Sequence, residues 1–478
     1  MKVKTSLKEN EKTLKKLLTA FDITFCPTNF GKSKALVVFI EAFCDKDSVG
    51  NLILKPMADF TKKPTKADIE KTILSPSKKP VQTFSEVEKE LFFGSTLLFV
   101  DGIDEAFSFS LKQFEKRAVS EPPTSAVVKG PREGFVESIE TNIGLLRRRL
   151  KTPDLALEII TMGKYSQTPI ALCYIKGVVK DGLVEKVSEK LKKVSIDAII
   201  DSSYIAQLLS EHESSLFKQV GTTEKPDVLT AKMLEGRLAV LVEGSPIALT
   251  LPYMLWEDFQ NSEDYFVSTY KATKARILRL CSVMISLLLP AFYVSAQLFH
   301  LQLIPLSFLL TIVNSVKGIP LSPSFEMFFT LLIFVILNET SVRMPKHVGM
   351  VVSIVGGLVL GETAVNAGII SAPALMIVAF SGICLYTVPD LEKSFSVIRL
   401  VLLLIAGTIG AYGLVLAGAY MLIYLTSFEN YDTPLLAPFS PLIKEDLKDG
   451  LFKEYLSKNV KRPKIINSPN KRRFKYYE

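Results

Sequence analysis

LCSVMISLLLPAFYVSAQLF, Leu280–Phe299, is a run without a single charged side chain. An α-helix rises about 1.5 Å per residue and the hydrocarbon core of a bilayer is about 30 Å thick, so roughly 20 apolar residues reach across it. Working outward, Gly349–Ile370, Ala372–Val388 and Leu400–Phe428 approach or exceed that length. Each is expected to be helical, because lipid offers a backbone no hydrogen-bond partner. Phe325–Val342 is harder to place. Its uncharged centre lies between Glu326 and Glu339 and reaches only about 18 Å as a helix, so it is either a short span shielded by neighbours or a partly embedded helix. Counting it as a span predicts five crossings.

The whole chain shows the same division. It has 478 residues, 48% hydrophobic and 22% charged, with a formal net charge of +8. Nearly all the charge precedes Arg279 or follows Glu429. The expected fold class is therefore an α+β soluble amino-terminal half followed by an all-α polytopic transmembrane domain. The expected divisions are 1–135, a first α+β subdomain; 136–265, a connector helix and second subdomain; 266–430, the membrane domain; and 431–478, a basic tail.

Several function classes find no support. MKVKTSLKENEKTLKKLL opens the chain with cations but no apolar stretch follows, so it reads as an amphipathic helix packed on its own domain, not a secretion signal. Five scattered cysteines form no CxxC pair, and three distant histidines have no ligand or triad partner at suitable spacing. No metal, cofactor or enzymatic chemistry is indicated. GKS at Gly31–Ser33 precedes its strand instead of following it and lacks the upstream glycine of a phosphate loop. The basic residues are interleaved with acids except near the membrane flanks and in the tail, which points to a membrane surface and not to nucleic acid.

The soluble half reads as a duplication. KALVVFIEAFCDKDSVGNLI from Lys34 and PIALCYIKGVVKDGLVEKVS from Pro169 are each an apolar run, an acidic turn and a helix-like segment. GSTLLFVDGIDEAFSFSL from Gly94 and GRLAVLVEGSPIALTLP from Gly236 follow them as hairpin signals. Two related subdomains are expected, near Lys34–Leu111 and Pro169–Leu251. Met57–Pro80 reads as a loop. Arg147, Arg148 and Arg149 end the connector helix, where they either meet an acidic partner or lipid phosphate, or simply complement the helix terminus.

In the third expected span, Gly357, Gly361, Ala364 and Gly368 form a stripe of small residues that lets another helix approach. The last span repeats the device with Ala406, Gly410, Gly413 and Ala417. About 100° around the third helix, Val355, Val359, Glu362 and Asn366 form a separate face. A carboxylate at that depth costs several kcal/mol unless it meets water, a partner or an ion. Glu362 therefore either lines a cation path between subunits or hydrogen-bonds to glue helices together, with Glu326 and Glu339 as secondary intramembrane acids.

LFVDGIDEAF from Leu98, EPPTSAVVKGPREGFVESIETNIGLLRRRLKTPDL from Glu121, TEKPDVLTAKMLEGRLAVLVEGSP from Thr223, MISLLLPAFYV from Met284 and VSIVGGLVLGETAVNAGIISAPA from Val352 together resemble the A subunits of GerA-type spore germinant receptors. The related SpoVAF-type proteins share this architecture, but SPLIK after PLLAPF looks more like the receptor subunit. The resemblance covers roughly Lys34–Leu442. It implies a multi-pass protein of the spore inner membrane, beside a transporter-like B subunit and a lipoprotein C subunit, with A subunits forming a homo-oligomer around a path for monovalent cations. Leu331 and Val335 stand where relatives carry further acids, leaving Glu326 and Glu339 as the matching pair. The alternatives are a non-conducting scaffold of the same receptor and a secondary transporter, although duplication is found only in the soluble half. With the amino-terminal half on the cytoplasmic (core) side, five spans also place Lys271, Lys274, Arg276, Arg279, Arg343, Lys346, Lys393 and Arg399 there. The basic tail would then lie outside.

Overall fold

The computed structural model describes residues 1–18, 20–44, 46–75, 77–111, 129–343, 359 and 361–474. These form two compact units. One holds Met1–Glu213, Lys218–Tyr253 and the tail from Leu456; the other holds Ser214–Phe217 and Met254–Tyr455. The expected tail, 431–478, is thus divided between them.

The first unit contains two antiparallel five-stranded sheets. Strands β1 (Ile23–Phe30), β2 (Ser33–Ile40), β3 (Lys78–Val81), β4 (Thr96–Val100) and β5 (Ala106–Phe109) are ordered β1-β2-β4-β5-β3. Strands β6 (Leu155–Met162), β7 (Thr168–Ile175), β8 (Gly221–Thr223), β9 (Leu238–Val242) and β10 (Ala248–Leu251) repeat that order as β6-β7-β9-β10-β8. The sequence pattern exposed the central strands because both faces of β2 are covered. Leu36, Val38 and Ile40 enter one core with Leu14 of helix α1 (Leu7–Leu17), while Ala35, Val37 and Phe39 enter another. Such strands read as continuous apolar runs. Edge strands β1 and β6 were not expected, since a strand with one solvated face mixes polar residues into its run.

Local chemistry corrects one other expectation. Within Met57–Pro80, Thr65 and Asp68 cap each other's backbone N–H groups and start helix α2 (Lys66–Thr72), and β3 begins at Lys78. The GKS segment is the β1–β2 turn, with Gly31 at φ +57°.

Helix α3 (Phe84–Phe92) packs on the first sheet, and α4 (Ile139–Arg149) places Ile139, Ile143 and Leu146 against the second. The arginines that end α4 are spent inside the protein. Arg147 Nε and Nη2 each donate to the Asp22 carboxylate at 2.8 Å, both partners being buried, and its guanidinium lies 5.3 Å from the Phe92 ring centre. Arg148 and Arg149 pair with Glu133 at 3.0 and 2.9 Å. Removing one partner of a buried ion pair strands the other charge. Arg147→Ala is therefore expected to destabilise the amino-terminal unit by roughly 3–5 kcal/mol, measured by urea unfolding.

The second unit is helical. Its helices are α5 (Thr269–Phe299), α6 (Leu306–Val316), α7 (Pro323–Arg343), α8 (Gly361–Asn366), α9 (Ala372–Leu385), α10 (Glu392–Ile409) and α11 (Ala411–Ser427). Among the described residues, Thr269–Phe299 and Pro323–Ser341 are long and apolar enough to cross a membrane, whereas α9 and the following Pro389–Ile409 meet that test only together and bend by 112°. Val294, Met327, Leu331, Ala374, Val378 and Leu403 fill the core between α5, α7, α9 and α10. The expected last span, Leu400–Phe428, is two helices. Gly410, at φ +71° and ψ −150°, ends one and begins the other, and a side chain there would meet Phe299. Residues 349–358 and 360 of the expected third span lie outside the described residues.

The segments flanking the helical region are fastened to each other. Leu255 N donates to Leu435 O at 2.9 Å, and Trp256 stands edge-on to Phe439 with ring centres 4.7 Å apart. Asp264 takes hydrogen bonds from Arg276 Nε (3.1 Å) and Arg279 Nη2 (2.6 Å), while Arg276 Nη1 also reaches Asp449 Oδ1 (3.0 Å) and Gly450 O (2.6 Å). Within the first unit, the tail returns to the second sheet's surroundings. Ser468 Oγ donates to Val178 O and Arg462 Nε to Leu234 O, each at 2.6 Å.

Burial raises the cost of ionising Asp264, but Arg279 and Arg276 hold its carboxyl below the usual carboxylate range. A depressed folded pKa gives stability that is fully present above the unfolded value, about 3.9, and is lost as pH falls through the folded one. Asp264→Asn is thus expected to lower the melting temperature of the detergent-solubilised chain clearly at pH 7 and much less at pH 3.

Candidate functional site

The geometry around Glu362 begins with a turn. Gly368, at φ +68°, closes α8 with its N–H on Val365 O (3.0 Å), and Ile369 N bonds Ala364 O (3.0 Å), an arrangement that only a residue tolerant of positive φ ends easily. Gly368 is expected in a packing stripe; among the described residues no atom lies within 4 Å of where its Cβ would stand, and its positive φ is what the turn requires. One side of α8 does pack inward. A Cβ on Gly361 would stand 3.2 Å from Leu375 of α9, and Ala364 lies against the bundle core.

The other side of α8 is turned out. Glu362 and Asn366 are exposed, as is Val359, and the Glu362 carboxylate makes no hydrogen bond or ion pair among the described residues. At 100° per residue, Glu362 and Asn366 lie within about 40° of each other, away from Gly361 and Ala364. Glu362 and Asn366 therefore share the exposed side of α8. Val355 and Gly357 lie outside the described residues.

The two secondary acids go elsewhere. Glu326, only 1% exposed, points into the bundle, where its Oε1 accepts the Ser371 backbone N–H at 2.5 Å at the start of α9. Glu339 is exposed and paired with Arg343 one turn along its own helix. Neither meets Glu362.

The second small-residue set is split by the Gly410 break. Ala406 is fully buried beside Ala291 and Leu402, Ala417 lies at the edge of that cluster, and Gly413 faces Ile405 and Ile409. These residues fold α11 back against α10 and α5 instead of forming one straight stripe. Closer helix approaches occur at Gly382, against Phe334, and at Gly407, against Ser324, neither of which was singled out from the sequence.

Arg399 is the residue the sequence reading misplaced. Expected as a flanking cation before a span starting at Leu400, it sits two turns inside α10, 3% exposed, with Nη2 on Ser381 Oγ at 2.8 Å, no carboxylate partner among the described residues and a buried, unbonded Nε. The signal was available in the helix start at Glu392, which moves Arg399 inward. No cluster of potential metal ligands is found among the described residues.

Comparison with known proteins gives this geometry its context. The sequence pattern of the family described as Bacillus/Clostridium GerA spore germination protein matches residues 11–465. Spore germination protein KA of Bacillus subtilis is 35% identical over 441 residues, 91% of this chain and 81% of that protein. Spore germination protein B1 of the same organism is 30% identical over 461 residues, 95% of each chain, and spore germination protein GerLA of Bacillus cereus is 30% identical over 468, 96% of this chain and 93% of that one. The crystal structure of the N-terminal domain of the A subunit of the Bacillus megaterium spore germinant receptor GerK3 is 29% identical, covers 52% of this chain and 96% of that one, and superposes with a TM-score of 0.42.

Proposed function

The chain belongs to the family of Bacillus/Clostridium GerA spore germination proteins, and from that premise we propose that it is the A-type membrane subunit of a germinant receptor, whose copies assemble around a shared path for monovalent cations. Its partners in this reading are a transporter-like B subunit and a lipoprotein C subunit, in the spore inner membrane with the α+β unit on the core side.

The observation that carries the reading is the outward face of α8. An intramembrane carboxylate cannot be left against lipid tails, so Glu362 and Asn366 require water or another polypeptide beyond the single chain. Copies that meet on this face supply both, and a ring of carboxylates favours cations over anions. The buried Arg399 guanidinium gives the α9–α10 seam the opposite sign, which disfavours a cation route there.

Purified chain in liposomes, alone or with its receptor partners, is expected to release potassium on stimulation, and Glu362→Gln is expected to reduce that flux by about tenfold, a change of roughly 1.4 kcal/mol in the barrier. An oligomer that never conducts would make the subunit a non-conducting scaffold, and flux indifferent to residue 362 would put the path on another face.

The fastened flanks bear on topology. Leu255 binds Leu435, and Arg276, ahead of the apolar stretch that starts at Leu280, binds Asp449 and Gly450, which supports placing both ends of the helical region on one face of the membrane. In this reading the number of crossings is even, where the sequence suggests five, and the basic tail shares the side of the other cations, in line with the charge bias of cytoplasmic loops. In sealed vesicles of one orientation, cysteines introduced as Lys8→Cys and Lys471→Cys are expected to be labelled together or protected together by an impermeant maleimide. Opposite labelling would restore an odd count.

A further inference from the structure

Resting on the assignment of Glu362 to the cation path, we infer that Glu326 is the positioning residue for the Glu362 face, acting through α9, whose two ends are held by Glu326 and Arg399. Helix α9 has 14 residues, about 21 Å of rise, too short to carry both ends out of a hydrocarbon layer about 30 Å thick. A helix ends with unpaired N–H groups at one terminus and unpaired C=O groups at the other, and inside a membrane protein these must be met by protein groups.

Both termini of α9 are met by charge of the complementary sign. At the first, Glu326 accepts the backbone N–H of Ser371, the cap residue, whose own hydroxyl accepts from Ala374 N at 3.3 Å. Near the second, Arg399 Nη2 donates at 2.8 Å to Ser381 Oγ, whose hydroxyl in turn donates to Val378 O at 2.9 Å. A carboxylate at the positive end and a guanidinium toward the negative end both stabilise the helix dipole. No described acid pairs with Arg399, whose guanidinium stands toward the carbonyl end of the α9 dipole.

The route from α9 to Glu362 is short. Ser371 is separated from α8 by the Gly368 turn, in which Ile370 N still bonds Ala364 O at 3.3 Å. One turn into α9, Leu375 forms the surface on which Gly361 rests. Glu326 therefore fixes the first turn of α9, that turn seats Gly361, and Glu362 is set about 100° further around α8, on its exposed side. The acid inherited from the second span does not line the path; it aims the acid that does.

The test uses the full chain in its receptor complex, with native cysteines replaced by alanine and Glu362→Cys as reporter. Modification by a small impermeant maleimide is expected to change by at least about tenfold in rate when Glu326→Ala is added, because thiol reactivity follows exposure and local charge. Glu326→Gln, which keeps an acceptor oxygen for Ser371, is expected to stay within about twofold of the parent. An unchanged rate with Glu326→Ala, or failure of the glutamine to restore it, overturns the inference. If the alanine variant does not accumulate, Glu326→Asp replaces it, since it keeps the charge but withdraws the oxygen, and an unchanged rate again overturns the inference. The two readings separate cleanly: potassium flux that ignores Glu362→Gln while labelling responds to Glu326 removes the path and leaves the positioning, and the reverse removes only the positioning.

Discussion

A hydrocarbon layer satisfies no hydrogen bond and solvates no charge, and the helical unit is organised by that constraint. Charges met within the described chain are bound in pairs or to helix ends: Glu326 to the start of α9, Arg399 near its end, Arg276 and Arg279 to Asp264. Glu362 has no such partner among the described residues. It stands on the outer side of a six-residue helix whose inner side is small enough to rest directly on α9. Exposure of an acid at that position is tolerable only when something other than lipid lies opposite it.

The amino-terminal unit solves a different problem. Two sheets of identical strand order come from a duplicated stretch of chain, and a duplicated pair has no intrinsic reason to keep one geometry. Helix α4 supplies one, since its apolar side enters the second core while Arg147 is locked in a two-pronged, buried bond to Asp22 of the first subdomain. Such a bond gains little net stability over apolar packing, but its planar fork admits only one alignment.

The sequence disclosed what periodicity and composition encode. Runs such as LLFV and LAVLV stand out because both faces of those strands are buried, and the apolar stretches stand out because lipid selects against charge. The acid and the amide of α8 stand out because glycine spacing and one carboxylate are legible without a neighbour. The sequence concealed what depends on partners distant in the chain. KKPV looks like loop sequence until β5 pairs with it, and Gly410 looks like a packing residue until Phe299 and its positive φ show a break. Glu326 and Arg399 could be seen as charges near spans, but only the bend between α9 and α10 shows that they serve the two ends of the same helix.

The direction of the outer face of α8 in the assembled protein decides whether Glu362 can line a shared path. Single-particle imaging of the receptor complex in lipid nanodiscs measures this directly. The predicted result is a symmetric ring in which Glu362 and Asn366 of every copy face the common axis, with Gly361 and Ala364 turned back toward α9. A ring whose axis is lined by other helices, with Glu362 buried inside a single copy, would contradict it.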